Sequence, residues 1–599
     1  MSSPHARSWL LRVVAIVIAF QAVFIARTSF VSAGTRHFVL FEDAMISMRY
    51  ARNFARGDGL NWNRGEATVE GYTNLAWTLW MSAIHKLGLG DATVSLPIML
   101  SGMVLVGIAA WCSYKIAARL SDVPWVAPVS AAATLCCYSL NFWSLRGMEV
   151  GAVAACASGL TYLALCHGPR LRPSISLALG LLGAATVMLR SDAVLMLGLA
   201  ALYAAWRSGK RYGLWVFLAI MAPAVVAVRM QLAFRRGYYG ESLPNTYYLK
   251  LAHISALARI KRGLFVALQF VGYHAPIPLA VLGASAWALG ARGLRALGAR
   301  HELSFLAVLI LTQAAYAIYV GGDAWEFMLY ANRYWSAVMP LFAVLVFTLL
   351  GEVATSEQSP ETMLRHLRPA LMLSAAAGLL AMLWAALAPE TGIAHTIQLS
   401  QKVLGMSVFL FVSALGAPLV APALDPLRIH IARALSDSTG PFSGRFATLT
   451  LLVVWGLGQA EPLATWAKRN AAQYTDEEQY ARLGLQLRDH TPADFRIAVM
   501  AAGATPYFSD RPTEDLLGKS DSHVAHLPPK GVFSPGHDKW DYAFSIGRKR
   551  PDLIVELSDL TPSDFEDIRG WGYSLLPSGM WLHQPSRVSG SIFAKEALP

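Results

Sequence analysis

The chain has 599 residues, of which 55% are hydrophobic and only 15% charged, and its formal net charge is +12. A soluble domain averages about 45–50% apolar and about 25% charged residues, so this composition excludes a single water-soluble globule and a disordered chain. A basic excess in such a chain is typical of cytoplasmic loops and contact with anionic lipid, and no Lys/Arg tract indicates nucleic-acid binding. The five cysteines all lie in apolar stretches without a CxxC pattern, so we expect neither a disulfide framework nor a zinc site.

Apolar runs, most of them about 17–25 residues long, predict thirteen membrane spans. They are 9–29, 93–115, 122–141, 149–166, 172–190, 192–206, 213–233, 263–290, 303–320, 335–351, 369–388, 401–421 and 445–458. The run at 75–89 is short and contains His85 and Lys86, so we interpret it as a helix that lies at the membrane interface.

The basic residues predict the topology. With the N terminus inside and 75–89 not counted, every short inside loop carries Lys or Arg, as at Lys115, Arg207 and Arg300. Counting 75–89 as a span would place most of these clusters outside. The first run could be a signal sequence cleaved near Ala33, but its length and the flanking Arg27 favour an uncleaved anchor.

The composition divides the chain in two. Residues 1–458 are predicted to form a transmembrane domain, with a first outer loop at about 30–92. Residues 459–599 are polar, with β-like runs at 496–500 and 553–555 and a helix-like stretch at 476–488. We predict that this part is a small α/β domain on the outer side of the membrane.

Adjacent carboxylates open the first outer loop. Glu42 and Asp43 directly follow the first span, where burial and like charge would raise a carboxylate pKa toward the range of a general base. The alternative is that they cap the following helix and offset its dipole. Arg49 lies on the same predicted helix and could hold these carboxylates or bind phosphate.

Four further outer segments carry unusual side chains. Four tyrosines and Lys250 lie within 238–250, where they could form an aromatic belt or could stack on sugar rings and hold a lipid phosphate. Arg333, which follows a Gly-Gly-Asp turn ending at Asp323, could clasp a phosphate or simply snorkel from a helix end. Glu149 and Asp192 lie at outer span ends, where an ionisable group is either functional or a local hydrogen-bond partner.

Several of these segments resemble one known family. They are Glu-Asp-Ala-x-Ile-Ser-x-Arg-Tyr-Ala-Arg-Asn (42–53), Gly-x-Gly-Leu-x-Trp-Asn (57–63), Val-Glu-Gly-Tyr-Thr-Asn (69–74), Gly-Met-Glu (147–149), Pro-Asn-Thr-Tyr-Tyr (244–248) with Lys250, Gly-Gly-Asp (321–323) with Arg333, and Gly-His-Asp-Lys (536–539). Their order and chemistry are similar to those of the mycobacterial-type terminal β-arabinofuranosyltransferases. Departures are Glu42, where members usually carry aspartate, and Arg-Ser-Asp at 190–192, where members often have Arg-Pro.

The resemblance implies a GT-C glycosyltransferase whose first outer loop supplies the catalytic acid and whose donor is a polyprenyl-phosphate-linked sugar. Under it, Asp43 and Glu42 are the expected catalytic residues. The donor phosphate is expected to be bound by Arg333, Lys250, Tyr248 and Arg49. The sugar and the acceptor are expected to be bound by Glu149, Asp192, Asp323, Asn245, Tyr247 and His537. Transfer without a cofactor is the simpler expectation, with a divalent cation at Glu42 and Asp43 as the alternative. Whether the transfer inverts or retains the linkage stays open at this point.

The implied partners are the lipid-linked donor, a glycan or glycoprotein acceptor and membrane lipid, without nucleic acid. The implied location is the bacterial inner membrane, with the active site and the C-terminal domain in the periplasm. The alternatives are a GT-C transferase of another sugar that acts on pilin, flagellin or lipopolysaccharide, and a lipid or solute transporter. A transporter would carry polar residues at mid-span and an internal repeat, whereas the polar residues here gather at one face.

Overall fold

The computed structural model describes residues 4–168, 172–274, 300–325, 330–355, 475–531, 533–558, 560–584 and 588. The last three predicted spans, the end of the span at 263–290 and the predicted domain boundary at 458/459 lie outside these residues.

The described chain is mostly helical. Its helices are α1 (Pro4–Arg27), α2 (Glu42–Arg56), α3 (Leu75–His85), α4 (Ser95–Leu120), α5 (Val126–Leu135), α6 (Tyr138–Leu145), α7 (Val150–Leu165), α8 (Pro173–Leu189), α9 (Val194–Arg207), α10 (Gly209–Tyr238), α11 (Asn245–Lys250), α12 (Ala256–His274), α13 (His301–Tyr319), α14 (Arg333–Ser336), α15 (Met339–Thr355), α16 (Thr475–His490), α17 (Ala504–Ser509), α18 (Ser522–Ala525) and α19 (Pro562–Gly570). The strands are β1 (Ser29–Ser32), β2 (Thr35–Phe38), β3 (Ile497–Val499), β4 (Thr513–Asp515), β5 (Leu553–Ile554), β6 (Tyr573–Leu575) and β7 (Trp581–His583).

Several helices are apolar enough to lie in a bilayer. Among the described residues, Leu10–Arg27, Ser95–Leu120, Gly209–Tyr238 and His301–Tyr319 are long and apolar enough to cross it. Shorter apolar helices pack beside them, and Val104, Trp111, Trp215 and Met230 expose more than half of their surface. Large apolar side chains on the outside of long helices are typical of contact with lipid. The protein is therefore a multi-pass membrane protein.

One predicted span is broken in two. The run at 122–141 forms α5 and α6, which meet at Cys136 and Cys137. Asn141 donates hydrogen bonds to the carbonyls of Leu135 (2.7 Å) and Cys137 (2.9 Å), and Gln21 donates to Asn141 (2.7 Å). These bonds occupy carbonyl groups that the break frees, which an apolar environment requires.

The first outer loop is an ordered layer over the helices. It contains the β1–β2 hairpin, α2, which ends at Gly57 in the left-handed conformation, and α3. α3 has 11 residues, or about 16 Å of helix, which is half the thickness of a hydrocarbon core.

The C-terminal segment, meaning the described residues from 475 onward, contains a five-stranded mixed sheet in the order β4-β3-β5-β7-β6. β3 pairs in parallel with β4 and β5, whereas β5, β7 and β6 are antiparallel. β3, β5 and α16 lie where the sequence predicts two strands and a helix. The turn after β4 is the part that reaches the candidate site.

The predicted inside and outer loops gather at different ends of the helices. At the end predicted to lie inside, Arg300 bonds Glu352 (2.5 Å) and the carbonyl of Leu120, and Arg207 lies 2.8 Å from His301. The outer segments that the sequence singles out meet one another at the other end, as described next.

Candidate active site

Glu42 and Asp43 begin α2 and point to different partners. The Glu42 carboxylate accepts hydrogen bonds from the backbone N–H groups of Gly503 (2.5 Å) and Ala504 (3.0 Å). Neither residue caps α2 with its side chain, because Phe41 occupies the N-cap position. Successive helical residues are rotated by about 100°, so two adjacent carboxylates seldom face one point. Glu42 therefore joins α2 to the C-terminal segment, and only Asp43 faces the cavity described below.

Three donors from distant parts of the chain surround Asp43. Arg333 Nη1 lies 2.9 Å and Trp325 Nε1 3.1 Å from Asp43 Oδ2, and Lys519 Nζ lies 3.1 Å from Oδ1. Burial raises the pKa of Asp43, but the charges of Lys519, Arg333 and Lys250 outweigh it and hold the pKa well below its usual range. Asp43 is thus ionised at neutral pH.

Arg333 is fixed by a second carboxylate. Its Nε and Nη2 bond Asp323 Oδ2 (2.6 Å) and Oδ1 (2.5 Å) in a two-pronged arrangement, and its guanidinium lies 5.3 Å from the centre of the Trp143 ring. Such a planar fork fixes direction as well as charge. Gly321 and Gly322, both at positive φ, form the turn that brings Asp323 to this position.

Lys250 ends α11 and faces the same place. Within the part of the chain that the structure describes, its ammonium has no hydrogen-bond or salt-bridge partner. Burial, with a smaller contribution from the charge of Arg333, lowers the pKa of Lys250 to about 8, although Asp43 opposes the shift. Lys250 is therefore a cation that is still available to an anion.

We call Asp43, Asp323, Lys250, Arg333 and Lys519 the charge cluster. Its three cations and two carboxylates leave one positive charge in excess. All five residues line a cavity of about 450 Å³, within the range of pockets that bind small molecules. Apolar side chains of the membrane helices form part of the same wall, namely Val187, Val194, Val228, Leu232 and Val320. The cavity thus combines a cationic end with a lipid-like wall.

A second polar group lines the cavity. Arg190 bonds Glu149 and Asp192, each at 3.0 Å, and its guanidinium lies 4.8 Å from the centre of the Tyr334 ring. Asn74 donates to the other oxygen of Glu149 at 2.9 Å. Glu149 and Asp192 are therefore held in place as acceptors beside the charge cluster.

The structure brings most of the predicted site residues to this cavity. Those that line it are Asp43, Glu149, Asp192, Tyr247, Lys250, Asp323 and Arg333. Glu42, Arg49, Asn245, Tyr248 and His537 do not line it. Lys519 also lines the cavity, although the sequence did not predict it as a site residue.

Two of the residues expected to bind phosphate are engaged elsewhere. Arg49 donates to the carbonyls of Trp62 (2.7 Å), Arg511 (2.8 Å) and Pro506, which leaves no part of its fork for a phosphate. Tyr248 donates to Glu241 at 2.9 Å and stacks on His526 with 4.1 Å between the ring centres. The expected phosphate contacts of Arg49 and Tyr248 are therefore corrected to structural ones.

Two of the residues expected to bind the sugar or the acceptor also have other positions. Asn245 donates to the carbonyls of Gly518 (2.8 Å) and Lys519 (3.1 Å), so it holds the turn that carries Lys519. His537 packs edge-on against Trp325 with 5.6 Å between the ring centres, and burial together with Lys519 lowers its pKa to about 4. His537 is thus neutral at physiological pH and packs against Trp325.

The described residues contain no group of three or more His, Cys, Asp or Glu side chains that could hold a metal ion. Glu42 and Asp43 contact separate partners in the structure, and transfer without a cofactor stays a prediction.

Comparisons with known proteins support the resemblance. A family model described as "Domain of unknown function (DUF8728)" matches residues 468–589, which include Lys519. The terminal beta-(1->2)-arabinofuranosyltransferase of Mycobacterium tuberculosis (strain ATCC 25618 / H37Rv) is 28% identical over 222 residues. The match covers 35% of this chain and 34% of that relative, so the chain aligns with about a third of the curated enzyme.

Two solved structures also match, namely the crystal structures of ArnT from Cupriavidus metallidurans in the apo state and bound to undecaprenyl phosphate. They are 15% and 14% identical, and each covers 85% of this chain and 86% of ArnT with a TM-score of 0.42. The curated match confirms the resemblance found in the outer loops: over about a third of its length, this chain is similar to a mycobacterial terminal arabinofuranosyltransferase.

Proposed function

We propose that this protein is a membrane glycosyltransferase that moves a sugar, arabinofuranose, from a polyprenyl-phosphate donor to an envelope glycan. The similarity to a terminal arabinofuranosyltransferase supports the reaction and the sugar. The topology predicted from the sequence, with thirteen spans and the C-terminal segment outside, supports a reaction on the periplasmic side of the inner membrane.

The charge cluster is the observation that carries the proposal. A sugar joined to a polyprenyl phosphate is a phosphodiester with one negative charge, which matches the single excess positive charge of the cluster. Arg333 and Lys250 can contact its phosphate, and the apolar wall suits the first part of the lipid. Asp43 is the carboxylate of the cluster that both Arg333 and Lys519 contact directly.

The proposed step is a single displacement with Asp43 as the general base. The acceptor hydroxyl loses its proton to Asp43 as its oxygen bonds the anomeric carbon, and the bond from that carbon to the phosphate oxygen breaks. The electron pair stays on the phosphate, so one negative charge passes from Asp43 to the leaving polyprenyl phosphate. Preorganised cations stabilise this charge where it develops, which is the role of Arg333 and Lys250. Glu149, Asp192 and Tyr247 are placed to contact sugar or acceptor hydroxyls.

The direct test is transfer by the purified full-length protein in detergent. We expect decaprenyl-phosphoryl arabinofuranose and a synthetic arabinofuranose oligosaccharide to give a product one pentose heavier, measured by mass spectrometry. The matched reaction contains decaprenyl-phosphoryl mannose. Transfer of mannose alone would assign another sugar, and transfer from neither donor would contradict the proposed function.

Because the Lys250 ammonium can lose its proton, we expect the protein to use the donor less efficiently at alkaline pH. Its lowered pKa of about 8 means that it is charged below pH 8 and neutral above it, so kcat/KM for the donor should fall as the pH rises through 8. Lys250→Arg keeps its charge and should move this limb above pH 10. A limb that stays at pH 8 in the Lys250→Arg variant would assign the titration to another group.

A further inference from the structure

Lys519 is a member of the charge cluster that comes from the C-terminal segment, 476 residues after Asp43. Its side chain is 7% exposed, and its ammonium lies 3.1 Å from Asp43 Oδ1 and 5.6 Å from the centre of the Trp325 ring. A lysine buried to this degree is costly unless it is paired. Lys519 is paired with Asp43, so its ammonium lies directly beside the proposed general base.

The turn that carries Lys519 is held from both sides. Asp515 accepts from the backbone N–H groups of Leu517 (3.1 Å), Gly518 (3.1 Å) and Ser520 (2.6 Å), which closes the turn within the C-terminal segment. Asn245, at the start of α11, donates to the carbonyl of Lys519 from the other side. Since α11 ends at Lys250, one short helix positions both lysines of the cluster.

The C-terminal segment is itself joined firmly to the first outer loop. Glu42 accepts from Gly503 and Ala504, and Arg52 donates to the carbonyl of Tyr507 (2.7 Å) and to Asp510 (2.7 Å). Arg52 is only 2% exposed, so water cannot hydrate its guanidinium. These hydrogen bonds replace the lost hydration. Lys519 thus reaches Asp43 on a fixed support.

The contacts of Asp43 pose a chemical problem for the proposed reaction. Oδ2 already accepts from Arg333 and Trp325, so Oδ1 is the oxygen with room for an acceptor proton. In the structure Lys519 contacts Oδ1, and its charge lowers the pKa of Asp43. A base that must accept a proton needs this bond to weaken when the substrates are present.

On the basis of the proposed function, we propose that Lys519 is a catalytic residue that binds Asp43 Oδ1 before the donor binds and then transfers to the donor phosphate. Lys519 lines the cavity beside Lys250 and Arg333, so a phosphate that contacts those cations lies within its reach. The incoming anion would then replace Asp43 as its partner. Asp43 becomes a stronger base only after the donor has arrived, and the leaving phosphate gains a third cation.

The titratable groups near Asp43 come from four parts of the chain. They are Glu42 on α2, Lys250 on α11, Asp323 and Arg333 around the Gly-Gly-Asp turn, and Lys519 with His537 from the C-terminal segment. Removing Lys519 takes away the cation with the largest effect on Asp43, so the pKa of Asp43 should rise in the free enzyme.

The test compares Lys519→Met with Lys519→Arg, and with Lys530→Met as an exposed control in the same segment. In Lys519→Met we expect kcat to fall about 10²–10³-fold and decaprenyl phosphate to inhibit about 10-fold more weakly, the size expected for one charge-assisted hydrogen bond. The acid limb of kcat/KM should also move to higher pH. In Lys519→Arg the acid limb of kcat/KM should stay at its wild-type pH, and decaprenyl phosphate should inhibit almost as strongly as in the wild type. Lys530→Met should match the wild type.

A purely structural role for Lys519 would lower the yield of folded protein without moving the acid limb. If Lys519→Met yields no folded protein, Lys519→Gln provides the same comparison. Wild-type inhibition by decaprenyl phosphate together with an unmoved acid limb in the variant would overturn this inference while leaving the proposed function intact. Absence of transfer in the wild type would instead overturn the proposed function.

Discussion

Asp43→Asn is expected to abolish transfer, with a loss of about 10²–10⁴-fold in kcat, the range for removal of a general base. An asparagine keeps the shape of the side chain and can still accept from Arg333 through its oxygen. Its amide group cannot take up a proton, and the N–H₂ end would face the Lys519 ammonium. Initial rates with decaprenyl-phosphoryl arabinofuranose measure the effect.

The matched control is Asp58→Asn in the same outer loop. Asp58 forms an exposed ion pair with Arg64 at 3.1 Å, and pairs of this kind contribute about 0–1 kcal/mol. We expect this variant to have wild-type activity and both variants to elute at the wild-type position in size-exclusion chromatography. Substantial transfer by folded Asp43→Asn would remove Asp43 from the role of base.

The second large effect concerns the docking of the C-terminal segment. Arg146 and Glu477 form an ion pair at 2.9 Å and are 0% and 2% exposed. Glu477→Ala leaves the guanidinium buried opposite an apolar group, and loss of one partner of a buried pair costs about 3–5 kcal/mol. We expect a clear fall in melting temperature and faster tryptic cleavage of the C-terminal segment.

The neighbouring residue provides the control for this change. Glu478 lies on the same helix, is 39% exposed and pairs with Arg482 one turn away, so Glu478→Ala should cost about 0.5 kcal/mol or less. The double variant Arg146→Met/Glu477→Leu replaces both charges by apolar groups and should regain most of the lost stability. Equal melting temperatures for Glu477→Ala and Glu478→Ala would contradict the role of the buried pair.

The sequence predicted those site residues that lie in loops assigned to the same side of the membrane. Asp43, Lys250, Asp323 and Arg333 each lie in a segment assigned to the outer side, and the structure places them in one cluster. Charge and hydropathy predict that the loops of Arg333 and Asp43 share a membrane face, and in the structure the two side chains form an ion pair.

The remaining site residues depend on side-chain direction and on distant packing. Tyr247 and Tyr248 are adjacent on α11, and hydropathy does not tell which of them faces the cavity. The same holds for Glu42 and Asp43 on α2. Lys519 lies in a polar segment whose sequence is typical of a turn in a soluble domain. Its position in the site depends on the hydrogen bonds that Asp515 and Asn245 make to that turn. The Asp-Leu-Leu-Gly-Lys run at 515–519 was the available signal, since an aspartate and a glycine mark a tight turn that could aim the next side chain.

The long separation of Asp43 and Lys519 along the chain has a consequence for biosynthesis. A ribosome that adds roughly 5–20 residues per second needs on the order of a minute to cover the 476 positions between them. During that interval the nascent polypeptide has its first outer loop but lacks the lysine that occupies Asp43 Oδ1. The charge cluster can therefore be complete only after the ribosome has added Lys519.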